Sequence, residues 1–389
     1  MRPVDVRGWN GFTRRRRART RAVRVTKEWT VKRRRLLGTA AASAGVALLP
    51  GRVTAAGDGL AARVRPYLDR ALAAGAPSTV FGVVRGHRRY VAGASRNGPA
   101  PDGRTVFQLG SIGKTLTATA LARAVHAGTV RLDTPLSLPP GFAVPRGATR
   151  RITLRDLATH SSGLPSLPAN LLDGADPYNP YAHYTLEDLA TGLPRTPLSH
   201  EPGSAYTYSN LGFGLLGQAL AFDGVDAMLR RGVTGPLGLS DTTTALRPDM
   251  ASRKAVGHMD GEAVPDWRDH VLSGAGTSMY STADDVLRYL NAQLHPERSP
   301  LRDAIELTQR HHFTDPATGL RLGLGWHFGV LADGRTVTWH NGGTYGFSTC
   351  AAFDRASGTA VMMMVNTYSD GSHAFDALVF ALLGELAGS

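Results

Sequence analysis

The sequence TVTWHNGGTYGFSTCAAFDRASGTAVMMMV, residues 336–365, predicts three consecutive β-strands. Its stretches at 336–340, 347–353 and 359–365 are rich in β-branched, aromatic and other apolar side chains, and glycine-containing segments separate them. Short connections of this kind join antiparallel neighbours. We therefore expect these strands to belong to one antiparallel sheet.

The spacing of apolar residues predicts the elements in the rest of the chain. They are a helix from Leu60 to about Gly75, strands at 79–84 and 90–94, a helix over 111–127, short helices at 153–159, 185–192 and 211–222, and a last helix with an apolar face from Phe375 to Leu386. Strands at both ends with helices between them predict an α+β fold, in which a mostly antiparallel sheet is flanked by helices and a helical region is inserted. The α/β part would occupy about 56–130 and 271–389, and the helical part about 131–270.

The positive charge of the chain is concentrated at its N-terminus. The 389 residues carry a net charge of +13, and residues 1–55 hold 15 basic and two acidic side chains. Residues 56–389 therefore carry equal numbers of basic and acidic groups. This distribution argues against a nucleic-acid-binding body, and a hydrophobic fraction of 42% is typical of a soluble globular protein.

The same N-terminal segment has the layout of an export signal. Arg33, Arg34 and Arg35 precede an apolar run over 36–49, and Val-Thr-Ala at 53–55 offers a small-residue cleavage site. The run has 14 residues, which is too few to span a bilayer. Paired arginines before a modest apolar run resemble a twin-arginine signal, so we expect an exported, extracytoplasmic protein without a stable membrane span. The alternative is a basic tail before a buried helix.

Cysteine usage agrees with export without requiring it. Cys350 is the only cysteine, so an intramolecular disulfide is excluded, and no cysteine follows the signal to carry a lipid. Cys350 lies in an apolar stretch, where a small buried side chain is the expected role.

Lysine is rare in this sequence, and its rarity singles out one motif. Of 44 basic side chains only four are lysines, and the body of the chain keeps only Lys114 and Lys254. Lys114 follows Ser111 by three residues at a predicted helix start, so both side chains share a helix face. An amine can lose its proton and activate a serine hydroxyl, which a guanidinium cannot do. Ser-x-x-Lys alone is nevertheless a weak signal.

Two further segments combine polar side chains with turn-forming residues. Residues 201–210, EPGSAYTYSN, precede a predicted apolar helix, and residues 339–344, WHNGGT, end a predicted strand. The glycines of the second segment allow a ligand to approach the backbone. The candidate site residues in these segments are Tyr208, Asn210, His340, Gly342 and Gly343.

The order of Ser-x-x-Lys, Tyr-x-Asn and His-x-Gly resembles the serine β-lactamase and penicillin-binding family, in particular its class C and D,D-carboxypeptidase branch. Four further segments resemble landmarks of that family in the same order. They are THSSGLP at 159–165, GPLGLSDT at 235–242, STADD at 281–285 and LGW at 324–326. The resemblance covers about residues 60–385. It implies a β-lactamase/transpeptidase-like fold and a serine hydrolase that forms an acyl-enzyme on D-alanyl-D-alanine peptides or related β-lactams.

The resemblance also implies a role for each site residue. Ser111 would attack the substrate carbonyl, and Lys114 and Tyr208 would share the role of general base. A Tyr208 phenolate would need a pKa below the usual value of about 10, which the Lys114 ammonium could provide. Asn210 would bind an amide of the substrate, and the backbone N–H groups of Ser111 and Gly343 would form the oxyanion hole. Which residue deprotonates Ser111 stays open at this point.

His340 is a departure from the class C pattern, which has lysine at this position. A histidine with the usual pKa of about 6.5 becomes neutral by pH 8 unless an acidic neighbour raises that pKa. We therefore expect substrates with a free carboxylate to lose affinity from pH 6 to 8. The same strand would present Gly342 and Gly343 to the substrate.

Two alternative functions remain: an esterase or amidase on small acyl substrates, and a penicillin-binding receptor without turnover. We expect a monomer that binds a small-molecule or peptidoglycan-peptide substrate and uses no metal, cofactor or nucleic acid. His160 is expected to support a turn, Tyr206 to be a core aromatic, and His311 and His312 to lack a third metal ligand. The sequence contains no Gly-x-Ser-x-Gly, so an α/β-hydrolase would lack its nucleophile elbow.

Overall fold

The computed structural model of the chain describes residues 58–221, 224–368 and 373–388. The predicted export signal at 1–55 lies outside these residues. Within the described ranges, no helix has both the length and the apolar composition needed to cross a bilayer.

The strands of the described residues form one large antiparallel sheet and two small ones. They are β1 (Ser78–Arg85), β2 (Arg88–Ser95), β3 (Val106–Gln108), β4 (Gly257–Met259), β5 (Glu262–Val264), β6 (Tyr280–Thr282), β7 (Phe313–Thr314), β8 (Arg321–Leu322), β9 (His327–Val330), β10 (Thr336–Thr344), β11 (Phe347–Asp354), β12 (Thr359–Val365) and β13 (Thr367–Tyr368). The eight-stranded sheet has the order β2-β1-β12-β11-β10-β9-β8-β7, and β3 pairs with β6. The three strands predicted within 336–365 are confirmed. β10 runs further than predicted because Gly342 and Gly343 still pair with Thr349 and Ser348.

The helices of the described residues are α1 (Asp58–Ala73), α2 (Gly113–His126), α3 (Leu154–Ala158), α4 (Leu186–Gly192), α5 (Asn210–Leu220), α6 (Val225–Leu229), α7 (Pro248–Ala251), α8 (Ala283–Leu294), α9 (Arg302–Gln309) and α10 (His373–Ala387). Of these, α1 and α10 cover one face of the eight-stranded sheet, and α8 covers the other face. Met363 of β12 packs with α1 and α10, whereas Met362 and Met364 pack with α8 on the opposite face. Because both faces are covered, every residue of β11 and β12 is buried, and β12 is apolar throughout except for Thr359. The predicted α+β fold is confirmed.

The segment between α2 and β6 is inserted between the parts of the chain that form the large sheet. Its apolar side chains, such as Leu157, Leu189 and Leu215, form a cluster that also includes Leu121 of α2. The sequence predicted a helical part over about 131–270, with loops and short helices and no strand. The structure adds the hairpin β4–β5, and β4 pairs in parallel with β13. Strands of two or three residues are too short to show an alternating pattern, which is why the sequence did not reveal them.

Candidate active site

Ser111 lies at the turn that connects the β3–β6 ribbon to α2. Gly110–Ile112 form one 3-10 turn, which continues into the first turn of α2. Gly110 has a φ of +59°, and a Cβ at this position would lie 2.5 Å from the backbone nitrogen of Gly343. The left-handed backbone and the close approach of β10 both require glycine here. The turn thereby places Ser111 at the N-terminal end of α2, beside β10.

The Lys114 amine is surrounded by neutral acceptors. Its Nζ lies 2.9 Å from Ser111 Oγ, 2.7 Å from Asn210 Oδ1 and 2.8 Å from the Ala275 carbonyl oxygen. The side chain is fully buried, and no carboxylate of the described residues forms an ion pair with it. Burial lowers the Lys114 pKa well below its ordinary value. A neutral amine can donate to two of these acceptors and accept the hydroxyl proton of Ser111.

Asn210, the first residue of α5, is held in one orientation. Its Oδ1 accepts from Lys114, and its Nδ2 donates to the Tyr181 hydroxyl at 3.0 Å. Tyr181 is buried in the inserted region. Sequence reasoning missed Tyr181 and Ala275, since neither lies in a recognisable motif. An amide nitrogen has two hydrogens, so Tyr181 occupies only one of the two.

Tyr208 lies against Lys114 and Ser111 on the loop before α5. Its ring centroid is 4.8 Å from Lys114 Nζ, and its side chain is hydrogen-bonded to Ser111. Burial raises the Tyr208 pKa, and the hydrogen bond with Ser111 offsets only part of that rise. These surroundings therefore do not supply the lowered pKa that a Tyr208 phenolate would need. The phenol is protonated at neutral pH.

His160 holds the Tyr208 loop in place. It has a φ of +54°, its carbonyl accepts the N–H of Thr207 at 2.8 Å, and its Nδ1 accepts the N–H of Ser209 at 3.0 Å. The imidazole and the Tyr208 ring have centroids 4.3 Å apart. Because the bonded residues flank Tyr208 on both sides, His160 fixes its position. This geometry agrees with the supporting role predicted for His160.

Two buried histidines lie on the sheet behind Tyr208. The rings of His340 on β10 and His327 on β9 are 5.0 Å apart, and His340 is 6.4 Å from Tyr208. The Nδ1 of His340 lies 2.5 Å from the Asn341 carbonyl oxygen. Burial lowers the His327 pKa to about 3. Burial, and then His327 and Lys114, lower the His340 pKa well below its ordinary value.

The surroundings of His340 argue against the pH response predicted for it. Its imidazole is completely buried, and the lowered pKa favours the neutral form over the range from pH 6 to 8. Sequence reasoning also missed His327, although it directly follows the Leu-Gly-Trp landmark at 324–326. Its burial depends on β10, which the landmark does not contain.

Gly342 and Gly343 bring the backbone of β10 against Ser111. A Cβ on Gly342 would overlap the Leu109 carbonyl oxygen and lie 2.9 Å from the Ser111 nitrogen. A Cβ on Gly343 would lie 3.1 Å from the Tyr368 ring. A side chain at position 342 would separate β10 from the Ser111 turn, and one at position 343 would press against the Tyr368 ring. The glycines thus let amides from β10 and from the start of α2 meet beside the serine.

The adjacent histidines His311 and His312 lie between α9 and β7 and make local contacts. His311 Nε2 is 2.7 Å from Thr314 Oγ1, and His312 Nε2 is 2.8 Å from the Leu307 carbonyl oxygen. Neither belongs to a group of three metal-ligating side chains in the described part of the chain.

Comparison with known proteins agrees with this architecture. The Beta-lactamase family model matches residues 60–385. The D-alanyl-D-alanine-carboxypeptidase/endopeptidase AmpH of Escherichia coli (strain K12) is 31% identical over 300 residues, covering 72% of this chain and 76% of AmpH. Esterase EstB of Burkholderia gladioli is 30% identical over 381 residues, covering 80% of this chain and 92% of EstB.

A solved structure shares the fold. The crystal structure of the β-lactamase/D-alanine carboxypeptidase from Yersinia pestis, complexed with citrate, has a TM-score of 0.69 at 24% identity and covers 84% of this chain and 99% of its own. The family match spans most of the chain and includes every residue of the site described above. The chain therefore belongs to the beta-lactamase family of serine hydrolases.

Proposed function

We propose that this protein is an exported hydrolase that forms an acyl-enzyme through Ser111 on D-alanyl-D-alanine peptides or related β-lactams. One observation carries the proposal: the buried Lys114 amine has three neutral acceptors, and one of them is Ser111 Oγ. This arrangement supports a lysine that is unprotonated in the resting enzyme and takes the serine proton. The similarity to AmpH, a D-alanyl-D-alanine carboxypeptidase by name, supports the substrate class.

Acylation begins when Lys114 Nζ accepts the Ser111 hydroxyl proton and Oγ attacks the substrate carbonyl carbon. The backbone N–H groups of Ser111 and Gly343 are the donors for the negative oxygen that develops, and the N-terminal end of α2 favours the same charge. The bond to the leaving group then breaks, and the leaving group takes the proton from Lys114 through the Tyr208 hydroxyl. A phenol with a raised pKa suits this step because it relays a proton without remaining ionised.

Deacylation repeats these steps with water in place of the leaving group. Water gives a proton to Lys114, its oxygen attacks the acyl carbon, and Ser111 leaves with a proton returned through Tyr208. Asn210 keeps the lysine oriented through Oδ1, and its second Nδ2 hydrogen is available for the amide carbonyl of the substrate.

Fluorescent penicillin labelling of the wild type and of Ser111→Ala tests the nucleophile. The wild type should be labelled and the variant should not, while circular dichroism confirms that both are folded. Equal labelling of the two proteins would remove Ser111 from the mechanism. A deacylation time course then separates the functions, because stable labelling indicates a peptidase or receptor and rapid loss indicates a β-lactamase.

A second candidate is an esterase or amidase on small acyl substrates. His340 favours it, because a buried neutral imidazole gives β10 no fixed cation for a substrate carboxylate. The similarity that spans 92% of EstB, an esterase by name, also supports an esterase function. We expect parallel pH profiles of kcat/KM from pH 6 to 8 for a matched carboxylate and neutral ester pair. His340→Lys should raise kcat/KM for the carboxylate substrate selectively, and an equal effect on both esters would exclude position 340 from carboxylate recognition.

Export is the part of the proposal that depends on residues 1–55. Replacement of Arg33, Arg34 and Arg35 by lysine should retain the precursor inside the cell, because twin-arginine signals require arginine. N-terminal sequencing of the exported protein should find cleavage near residue 55. Unimpaired export of the lysine variant would assign the segment to a different route.

A further inference from the structure

A cavity of about 610 Å³ lies between α9 and one end of the large sheet. Four of its lining residues form a row of cross-strand neighbours. Arg321 of β8 pairs with Phe328 of β9, and Phe328 pairs with Thr338 of β10. Thr338 pairs in turn with Phe353 of β11. Because directly paired residues share a face of a sheet, this row forms the floor of the cavity.

The cavity and the candidate active site lie towards opposite ends of β10. Thr338 precedes Gly342 by four residues, which an extended strand spans in about 13 Å. The residues that line the cavity include none of the site residues described above. The cavity is therefore a second place at which a ligand could bind.

Three arginines line this cavity, and within the described residues none of them forms an ion pair. They are Arg310, which follows α9, Arg321 and Arg355. Arg355 Nη1 donates to Gln309 Oε1 at 3.4 Å, which is a neutral acceptor. Gln309 is itself held by α8, because its Nε2 donates to Gln293 Oε1 at 2.9 Å. We call the space beside these three arginines the arginine cavity.

The acids that line the arginine cavity do not neutralise it. Glu306 pairs with Arg302 at 3.3 Å. Asp354 is 4% exposed, and its Oδ1 accepts the N–H of Ala356 at 2.9 Å. Three guanidinium groups are thus opposed by one carboxylate without a cationic partner, so positive charge is in excess. Planar guanidinium groups bind phosphate through paired N–H donors.

The floor of the arginine cavity offers contacts that suit a sugar. Phe328 is only partly buried, so its ring can pack against the apolar C–H face of a sugar. Thr336 and Thr338 also line the cavity, and their hydroxyls can donate to phosphate oxygens or accept from sugar hydroxyls. A concave space of about 610 Å³ has the size of a small-molecule site, whereas a membrane surface would need a flat or protruding patch.

We propose that the arginine cavity binds a phosphorylated sugar in free form. The guanidinium groups hold the phosphate, and the sugar ring lies on Phe328. This inference goes beyond the proposed function and does not depend on it. Ser111→Ala should therefore bind the ligand as tightly as the wild type does.

Isothermal titration calorimetry with glucose 6-phosphate, glucose and inorganic phosphate tests the proposal. The wild type should bind glucose 6-phosphate with a Kd at least about 10-fold lower than that of either fragment, because only this probe contacts both the arginines and Phe328. Arg321→Gln and Arg355→Gln should each raise that Kd about 10-fold, since each loses a charge-assisted hydrogen bond. Arg131→Gln is the matched control. It removes the same charge from an exposed arginine that pairs with Asp133 outside the cavity.

Phe328→Leu separates the two parts of the ligand, because it should weaken binding of glucose 6-phosphate without changing that of inorganic phosphate. Equal Kd values for these two probes in the wild type would exclude the sugar contact. An equal effect of Arg131→Gln and Arg321→Gln would show that the net charge, and not the cavity, attracts the phosphate. Sedimentation with vesicles of phosphatidylinositol and phosphatidylcholine distinguishes a lipid headgroup from a free ligand. Binding to these vesicles without binding of glucose 6-phosphate would overturn the proposal.

Discussion

Lys114 and Lys254 are the two lysines in the body of the chain, and their surroundings differ. Lys254 has a carboxylate partner, whereas the hydrogen-bond partners of Lys114 are neutral. Lys254 Nζ forms an ion pair with Asp266 at 3.0 Å and donates to the Ala255 carbonyl oxygen at 2.9 Å. Lys114 is more deeply buried, and its partners are a hydroxyl, an amide oxygen and a backbone carbonyl. A carboxylate keeps an amine charged, whereas burial among neutral acceptors favours its neutral form. The same side chain can thus serve as a structural cation in one place and as a base in the other.

The largest difference between the two lysines should appear on replacement by arginine. Lys114→Arg retains a positive charge but cannot accept the Ser111 proton, so kcat/KM should fall at least about 10²-fold. Lys254→Arg can still pair with Asp266 and should keep its rate within a few fold. Steady-state kinetics of both variants, with circular dichroism as a check on folding, provides the measurement. Similar rates for the two variants would show that Lys114 is also only a structural cation.

A smaller effect should follow when Lys114 receives the kind of partner that Lys254 has. Asn210→Asp places a carboxylate next to Lys114 Nζ without a large change in shape. The Lys114 pKa should rise, so the acidic limb of the kcat/KM profile should move up by at least about one pH unit and the rate at pH 7 should fall about 10-fold.

Asn210→Ser is the control for this experiment, since it removes the amide without adding a charge. It should lower the rate without moving the acidic limb. An unchanged pH profile in Asn210→Asp would contradict the assignment of that limb to Lys114.

The smallest effect on activity is expected at Asp376 of α10. Like Lys114 it is a buried titratable group, but it is an acid and does not contact Ser111. Its Oδ2 accepts the Nδ2–H of Asn341 at 2.7 Å, and it is hydrogen-bonded to Cys350, which is buried as predicted. Burial raises the Asp376 pKa from 3.8 to about 7. The folded protein therefore binds more protons here than the unfolded chain between about pH 4 and 7.

The contribution of Asp376 to the free energy of unfolding should accordingly be greatest at low pH and decline as pH rises to about 7. Asp376→Asn should remove that decline. Its free energy of unfolding, relative to that of the wild type, should therefore rise by up to about 1.4 kcal/mol per pH unit within this window. Urea denaturation at intervals from pH 4 to 8 measures the difference, with kcat/KM expected to change little. A stability difference that is constant with pH would show that Asp376 is ionised throughout.

The sequence predicted the central strands and the main helices because each has a long apolar pattern. Residues 360–365 are continuously apolar and form most of β12, and the apolar face from Phe375 to Leu386 lies on α10. The sequence did not predict β4, β5 and β13. Each has only two or three residues, and β4 pairs with β13 only because distant segments of the chain meet. The sequence also did not predict that the rings of Tyr181, Trp267, Tyr345 and Tyr368 pack in a row, because these residues come from separate stretches of the chain.

For the candidate site, the sequence by itself determined the three-residue spacing of Ser111 and Lys114 and the glycines that admit β10. Helix geometry and the absence of a Cβ act locally, so these features need no other part of the chain. Only the tertiary structure decided the protonation of Lys114 and His340. The Lys114 partners Asn210 and Ala275 lie 96 and 161 residues away, and burial by distant elements lowers both pKa values. A pKa depends on desolvation and on nearby charges in three dimensions, and the order of residues does not contain either quantity.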